Sequence, residues 1–232
     1  GTVSAKNEGN ARVYYQIFVG SFSDSNGDGI GDLRGIIQKL PYIKGLGVSG
    51  IYLLPVFLSD TNHKYNTFDY TRIDPDFGTE EDMLELVQTA HSMGIRVMLD
   101  AVFNHSGTEF FAWKDIWEKG EDSEYFDWFV IHKKPFERKY ASLRDGRFDG
   151  FAFLDNMPKL DTGNPKVQEY FGNICAHWVQ NWGIDGIRFD VGNEVFHSVF
   201  IHQLEEEFPI HFLHIAYVFS FGTSHNGVRV GH

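Results

Sequence analysis

Two short stretches bring groups capable of proton and nucleophile chemistry close together: "DAVFNH" at 100–105 and "GIRFDV" at 186–191. In the second, Arg188 and Asp190 lie two apart in an apolar run, so on a strand both emerge from one face. There the guanidinium holds the carboxylate ionised and oriented. A carboxylate held in this way suits the nucleophile of glycoside hydrolysis; taken alone, the pair is more commonly a structural salt bridge. The first stretch supplies Asp100, Asn104 and His105, and a lone histidine of this kind is more often a satisfied structural one.

A third stretch, "DSNGDGIGDL" at 24–33, has the chemistry of a hard cation. Asp24, Asn26 and Asp28 offer side-chain oxygens at alternating positions. Ile30 falls where a calcium loop uses a backbone carbonyl, and Asp32 supplies a further carboxylate. Gly35 stands where a helix-loop-helix calcium site needs a bidentate Glu, and "VYYQIFVGSF" before the loop reads as a strand. The expectation is Ca2+ bound in a strand-to-helix turn. The same residues also make a solvated Asx-rich turn.

These groups need a scaffold, and the chain alternates strand and helix signals. Strands are predicted at 13–19, 49–56, 95–103 and 184–191, and helices at 33–46, from a Thr79 cap to Gly94, at 164–183 and at 193–208. Thr79 with Asp82 resembles a capping box. Asn164, Pro165 and Gly183 punctuate the next helix as cap, first residue and stop. Such alternation implies right-handed βαβ units around a parallel sheet. The last strand-to-strand spacing is about 50 residues too long for one unit, which takes ~30 or more, so residues 104–160 are predicted to be an inserted subdomain. In parallel barrels the C-terminal strand ends carry the catalytic groups, which would gather Asp100, Asn104, His105, Arg188 and Asp190 on one face.

Composition narrows the partners. The 232 residues are 42% hydrophobic with a formal net charge of −12, enough apolar material for a sizeable core and the wrong sign for nucleic acid or an anionic membrane. The single cysteine, Cys175, excludes an internal disulfide and reads as a packed thiol. No apolar run reaches the ~18 residues of a membrane span. The expected location is cytoplasmic, or secreted if a leader has been removed.

Together, "DAVFNH", "GIRFDVGNEV" (186–195), "MPKLD" (157–161), "GIYLLPVF" (50–57) and "HKYNTFDY" (63–70) resemble signature regions of the alpha-amylase family of glycoside hydrolases. The MPKL element, with Asn193 and Glu194 after the aspartate, is similar to its neopullulanase and cyclomaltodextrinase branch. The resemblance implies an α/β fold, a partial (β/α)8 TIM-type barrel made of residues 1–103 and 161–208. The 104–160 segment would be its inserted subdomain and 209–232 an atypical tail. It implies a retaining mechanism with Asp190 as nucleophile and Arg188 binding it. His105, Tyr65, Asp100, Asn66 and Glu194 would contact an alpha-1,4-glucan or maltooligosaccharide. Asn104 would join the metal site of Asp24 to Asp32. Asn66 stands where an aspartate is common.

One departure concerns the proton donor. A retaining glycosidase needs a second carboxyl group about 5 Å from the nucleophile, yet no Asp or Glu follows Glu207. A complete barrel takes ~250 residues, so four or five βα units are expected here. This allows a second reading: an inactive or weakly active piece that binds glucan or is purely structural. "IHFLHIAYVFSF" (210–221) is expected to supply a fifth strand or an interface, with a homo-oligomer covering the open half-barrel.

Overall fold

The computed structural model describes residues 13–61, 64–132, 148–149, 157–191 and 214–219, with 189–191 and 214–219 described by backbone alone. A five-stranded parallel sheet runs in the order β1 (Tyr14–Ile17), β2 (Gly50–Leu53), β5 (Arg96–Ala101), β6 (Gly186–Val191), β7 (His214–Phe219). Helices α2 (Leu33–Gly45), α3 (Glu80–Ser92) and α5 (Pro165–Trp182) connect successive strands. This is the α/β architecture of a partial (β/α)8 barrel. The predicted helix at 193–208, with Glu194, lies outside the described residues.

Local chemistry sets the element ends. Thr79 and Asp82 form a reciprocal capping box that opens α3, and the Asn164 side chain accepts the Lys166 amide ahead of Pro165 at the start of α5. Gly183 ends α5 at φ 73°, a left-handed conformation natural to glycine. The first strand is shorter than the sequence suggests. It stops at Ile17, and a single helical turn, α1 (Val19–Phe22), follows, because the 24–32 loop folds back and bonds it: Gly31 N donates to Gly20 O (2.8 Å) and Asp32 N to Ser23 O (2.9 Å).

Alternation along β5 sorts the sheet into two faces. Val97 and Leu99, together with Ile51, Leu53 and Ile187, are fully buried core residues. Tyr52, Met98, Asp100 and Arg188 occupy the opposite register positions, with Tyr52 beside Met98 and Asp100 beside Arg188. The core is strongly aromatic. Trp178 stacks on Phe57 at 4.7 Å and 6°, Phe103 stacks on Phe171 at 4.3 Å, and Tyr70 meets Phe171 edge-on at 5.0 Å.

Two features were not foreseen from sequence. An antiparallel hairpin, β3 (Phe57–Ser59) with β4 (Thr67–Ile73), lies between β2 and α3 and carries Lys64, Tyr65 and Asn66 in its connecting loop. Residues 157–160 fold back over the end of β5: His105 bridges Lys159, Phe129 bridges Leu160, and Leu160 N donates to Asn104 O (2.9 Å). The "MPKL" element is therefore a staple across the strand end. Within 104–132 the chain forms α4 (Phe111–Lys119) and two 3-10 turns.

The 24–32 loop is built on carboxylate-to-amide bonds. Asp24 accepts from Asn26 N, Gly27 N and Gly29 N, Asn26 from Asp28 N, and Asp28 from Ile30 N (2.8–3.1 Å). The bond from Gly29 N is the main reason the Asp24 carboxyl sits below its ordinary range. A depressed folded value supports the loop above the unfolded pKa and withdraws that support as pH falls through the folded one. The Gly27 and Gly29 amides are therefore expected to lose hydrogen-exchange protection, corrected for intrinsic rates, on acidification below the usual carboxylate range. In Asp24→Ala they should be unprotected at every pH; unchanged protection in that variant would refute the account.

Candidate active site

The C-terminal ends of β2, β5 and β6 and the β3–β4 loop converge. Asp100, on β5, is 3% exposed and receives the Tyr52 hydroxyl at 2.6 Å on Oδ2. Across the ladder, the Arg188 guanidinium lies over the Tyr52 ring at 4.6 Å from its centroid, a cation–π contact. Burial, reinforced by the Asp100 carboxylate, pushes the Tyr52 phenol far above its ordinary pKa, with a smaller opposing pull from Arg188. Tyr52 is thus a fixed donor. The Tyr65 phenol is close enough to add a small upward push to the Tyr52 pKa.

His105 is 1% exposed and gripped at both nitrogens: Nε2 lies 2.8 Å from Tyr65 O and Nδ1 2.7 Å from the Asn104 amide oxygen position. A carbonyl can only accept, so Nε2 carries a proton. In the neutral ring Nδ1 then accepts, which suits Asn104 with its amide NH2 turned inward, an isosteric exchange of O and N. Behind this pair, Tyr70 OH lies 3.0 Å from His105 O and 3.2 Å from Val102 O. Gly107 permits the loop's close approach: a Cβ there would fall 2.5 Å from Asn66 O and from the Phe68 ring.

Of the residues singled out from sequence, Asp100, His105, Arg188 and Tyr65 come together. Asn66 is nearby but faces its own loop, accepting from Ser59 Oγ (2.6 Å) and from Thr61 Oγ1, and donating to Asp60 Oδ1 (2.6 Å). Asp190 lies in β6 by its backbone, opposite Val218. Sequence reasoning missed Tyr52, which is hidden in an apolar run, and Lys64, a buried cation in the hairpin loop. The signal for Tyr52 was its register: a polar-tipped aromatic on the same face as Asp100.

The calcium expectation is corrected. Among the described residues no group of three or more His, Cys, Asp or Glu side chains is placed to hold a metal. Asp24, Asn26 and Asp28 direct their oxygens to amides of their own loop, Ile30 contributes its amide to Asp28, and Asp32 caps α2 by accepting from Gly35 N (2.7 Å) while binding Ser25 N (3.1 Å). Asn104 is turned to His105. The Asx pattern that resembles a ligand set is here the wiring of a turn.

Parallel strands interleaved with helices, with an acid, a guanidinium and an imidazole toward the strand ends, define part of a (β/α)8-type barrel. The profile described as "Alpha amylase, catalytic domain" matches residues 16–214. The chain belongs to the alpha-amylase family of glycoside hydrolases, in its neopullulanase and cyclomaltodextrinase branch. It is 49% identical over 167 residues to an intracellular maltogenic amylase of Bacillus subtilis (strain 168), covering 72% of this chain and 27% of that protein. It is 47% identical over 168 residues to a cyclomaltodextrinase of Geobacillus thermopakistaniensis, covering 72% and 28%. The chain thus spans less than a third of the length of these relatives. Among solved structures, a cyclomaltodextrinase aligns with TM-score 0.75 at 38% identity over 89% of this chain and 38% of that one. A Nostoc punctiforme debranching enzyme aligns with TM-score 0.80 at 33% identity over 92% and 48%. Among the described residues no helix is long and apolar enough to cross a membrane.

Proposed function

We propose that this chain is the sugar-holding, nucleophile-bearing half of an alpha-glucan hydrolase acting on maltooligosaccharides or cyclodextrins, and that residues 1–232 bind glucan far better than they cleave it. The observation that carries the reading is the cluster of Tyr52, Asp100 and Arg188 beside the Tyr65–His105 contact. Asp190, two residues beyond Arg188 on the same strand, is the nucleophile for a retaining double displacement, and Arg188 keeps it ionised. His105 and Asp100 bind sugar hydroxyls and Tyr65 offers its ring to the sugar face, while Asn66 braces the loop that carries Tyr65 through Ser59 and Asp60. In this reading the barrel portion is drawn from 1–103 and 161–208 and the subdomain from 104–160, of which 1–12, 62–63, 133–147, 150–156 and 192–208 lie outside the described residues.

Weak cleavage follows from the proton donor. Protonation of the leaving oxygen by a general acid contributes ~10²–10⁴-fold, and residues 208–232 offer no Asp or Glu for it. An aryl glycoside whose leaving group needs little protonation escapes that penalty. Calorimetry with maltotetraose is expected to show saturable binding. Turnover of p-nitrophenyl maltoside is expected to exceed that of starch by about the same 10²–10⁴-fold. Absence of binding heat would remove the glucan reading. Starch cleaved as fast as the aryl maltoside would favour a complete catalytic apparatus instead.

A further inference from the structure

Lys64 is unusual in three ways. It is 4% exposed, although lysine is rarely buried. Among the described residues it is the only non-glycine at positive φ (63°), a conformation disfavoured by a Cβ. Its ammonium is enclosed by Asp74 Oδ2 at 3.0 Å, Asp76 Oδ2 at 3.1 Å and the Phe77 ring at 5.3 Å from the centroid.

Asp74 is itself a fixed point. It is 2% exposed, its Oδ2 accepts Ser59 N (3.2 Å), its Oδ1 accepts Asp76 N (2.9 Å), and its own amide donates to Val56 O (2.9 Å). Those bonds tie it to both ends of β3. Lys64 reaches from the hairpin loop to this anchor, and the next residue, Tyr65, presents its carbonyl to His105 Nε2. On the other side of Tyr65, Asn66 is pinned to Ser59 and Asp60. A buried ion pair contributes little net stability compared with an apolar pair of similar shape. What it supplies here is a single backbone geometry at 64–65.

We propose that Lys64 is a positioning residue: its buried ion pair with Asp74 holds the left-handed turn that aims the Tyr65 carbonyl at His105, and so sets the ring that meets the sugar. The role in sugar binding rests on the function proposed above; the positioning of His105 does not, and the two are read separately. In ¹⁵N-histidine ring spectra of the full chain, Lys64→Met is expected to shift the His105 ring nitrogens and expose the Nε2 proton to rapid exchange. His91, at the end of α3 and paired with Asp185, should keep its signal. Lys64→Arg, which keeps the charge, should restore most of the His105 signature. Maltotetraose affinity should fall about tenfold in Lys64→Met, the size of one misplaced polar contact, and recover in Lys64→Arg. Should Lys64→Met not fold, Asp74→Asn carries the same test, because it keeps shape and still accepts one of the two backbone amides, Ser59 N or Asp76 N, while removing the charge. Unmoved His105 signals in a folded Lys64→Met or Asp74→Asn chain overturn the proposal. Shifted signals in a chain that binds no maltotetraose leave the positioning role standing and refute the glucan reading alone.

Discussion

Asp190→Asn is expected to lower release of nitrophenol from p-nitrophenyl maltoside by on the order of 10³-fold or more, down to the uncatalysed background. The amide is nearly isosteric with the carboxylate but is a poor nucleophile. Maltotetraose binding should survive, since Tyr65, His105 and Asp100 are untouched, so the loss is in kcat rather than in affinity. Turnover that persists unchanged in a folded Asp190→Asn chain would strip Asp190 of its role.

The largest effect on stability is expected from Trp178→Ala. Trp178 is fully buried, lies flat on Phe57, tilts against Phe103 at 5.7 Å and donates its indole N–H to Tyr70 O at 2.9 Å. Truncating so large a buried aromatic costs about 3–5 kcal/mol, and the Tyr70 carbonyl left without a donor adds to that. Against the ~5–15 kcal/mol of a typical domain, this is a large share of the margin. The urea midpoint should collapse, with Trp178→Phe intermediate. A midpoint lowered by less than about 1 kcal/mol equivalent would mean that the aromatic stack is not the keystone of the α5–β4 packing.

Much of the scaffold was readable because its signals agree with one another. The strands at 50–53, 96–101 and 186–191 are apolar runs bounded by glycine, and the Thr79–Asp82 and Asn164–Pro165–Gly183 devices mark the helix ends where they are found. The hairpin was less legible: β3 has three residues, too few for a period-two pattern to declare itself. Tyr52 reads as a core aromatic until its register against β5 shows its hydroxyl reaching Asp100. Lys64 reads as a surface charge, since nothing in its neighbourhood announces that Asp74, ten residues on, will be buried with it. The Asp24–Asp32 loop misled for a plain physical reason. Oxygens that could coordinate a cation and oxygens that accept their own backbone amides have the same residue types at the same spacing.

The grip on His105 has a consequence for how a ligand arrives. Both imidazole nitrogens already have neighbours inside the protein, with the Tyr65 carbonyl on one side and the Asn104 amide on the other. A hydroxyl that claims Nε2 must evict a carbonyl that was already satisfied, so engagement there is an exchange and not a gain. One hydroxyl can bridge the opened contact, accepting the Nε2 proton and donating to the released Tyr65 carbonyl, so the exchange leaves neither group unpaired.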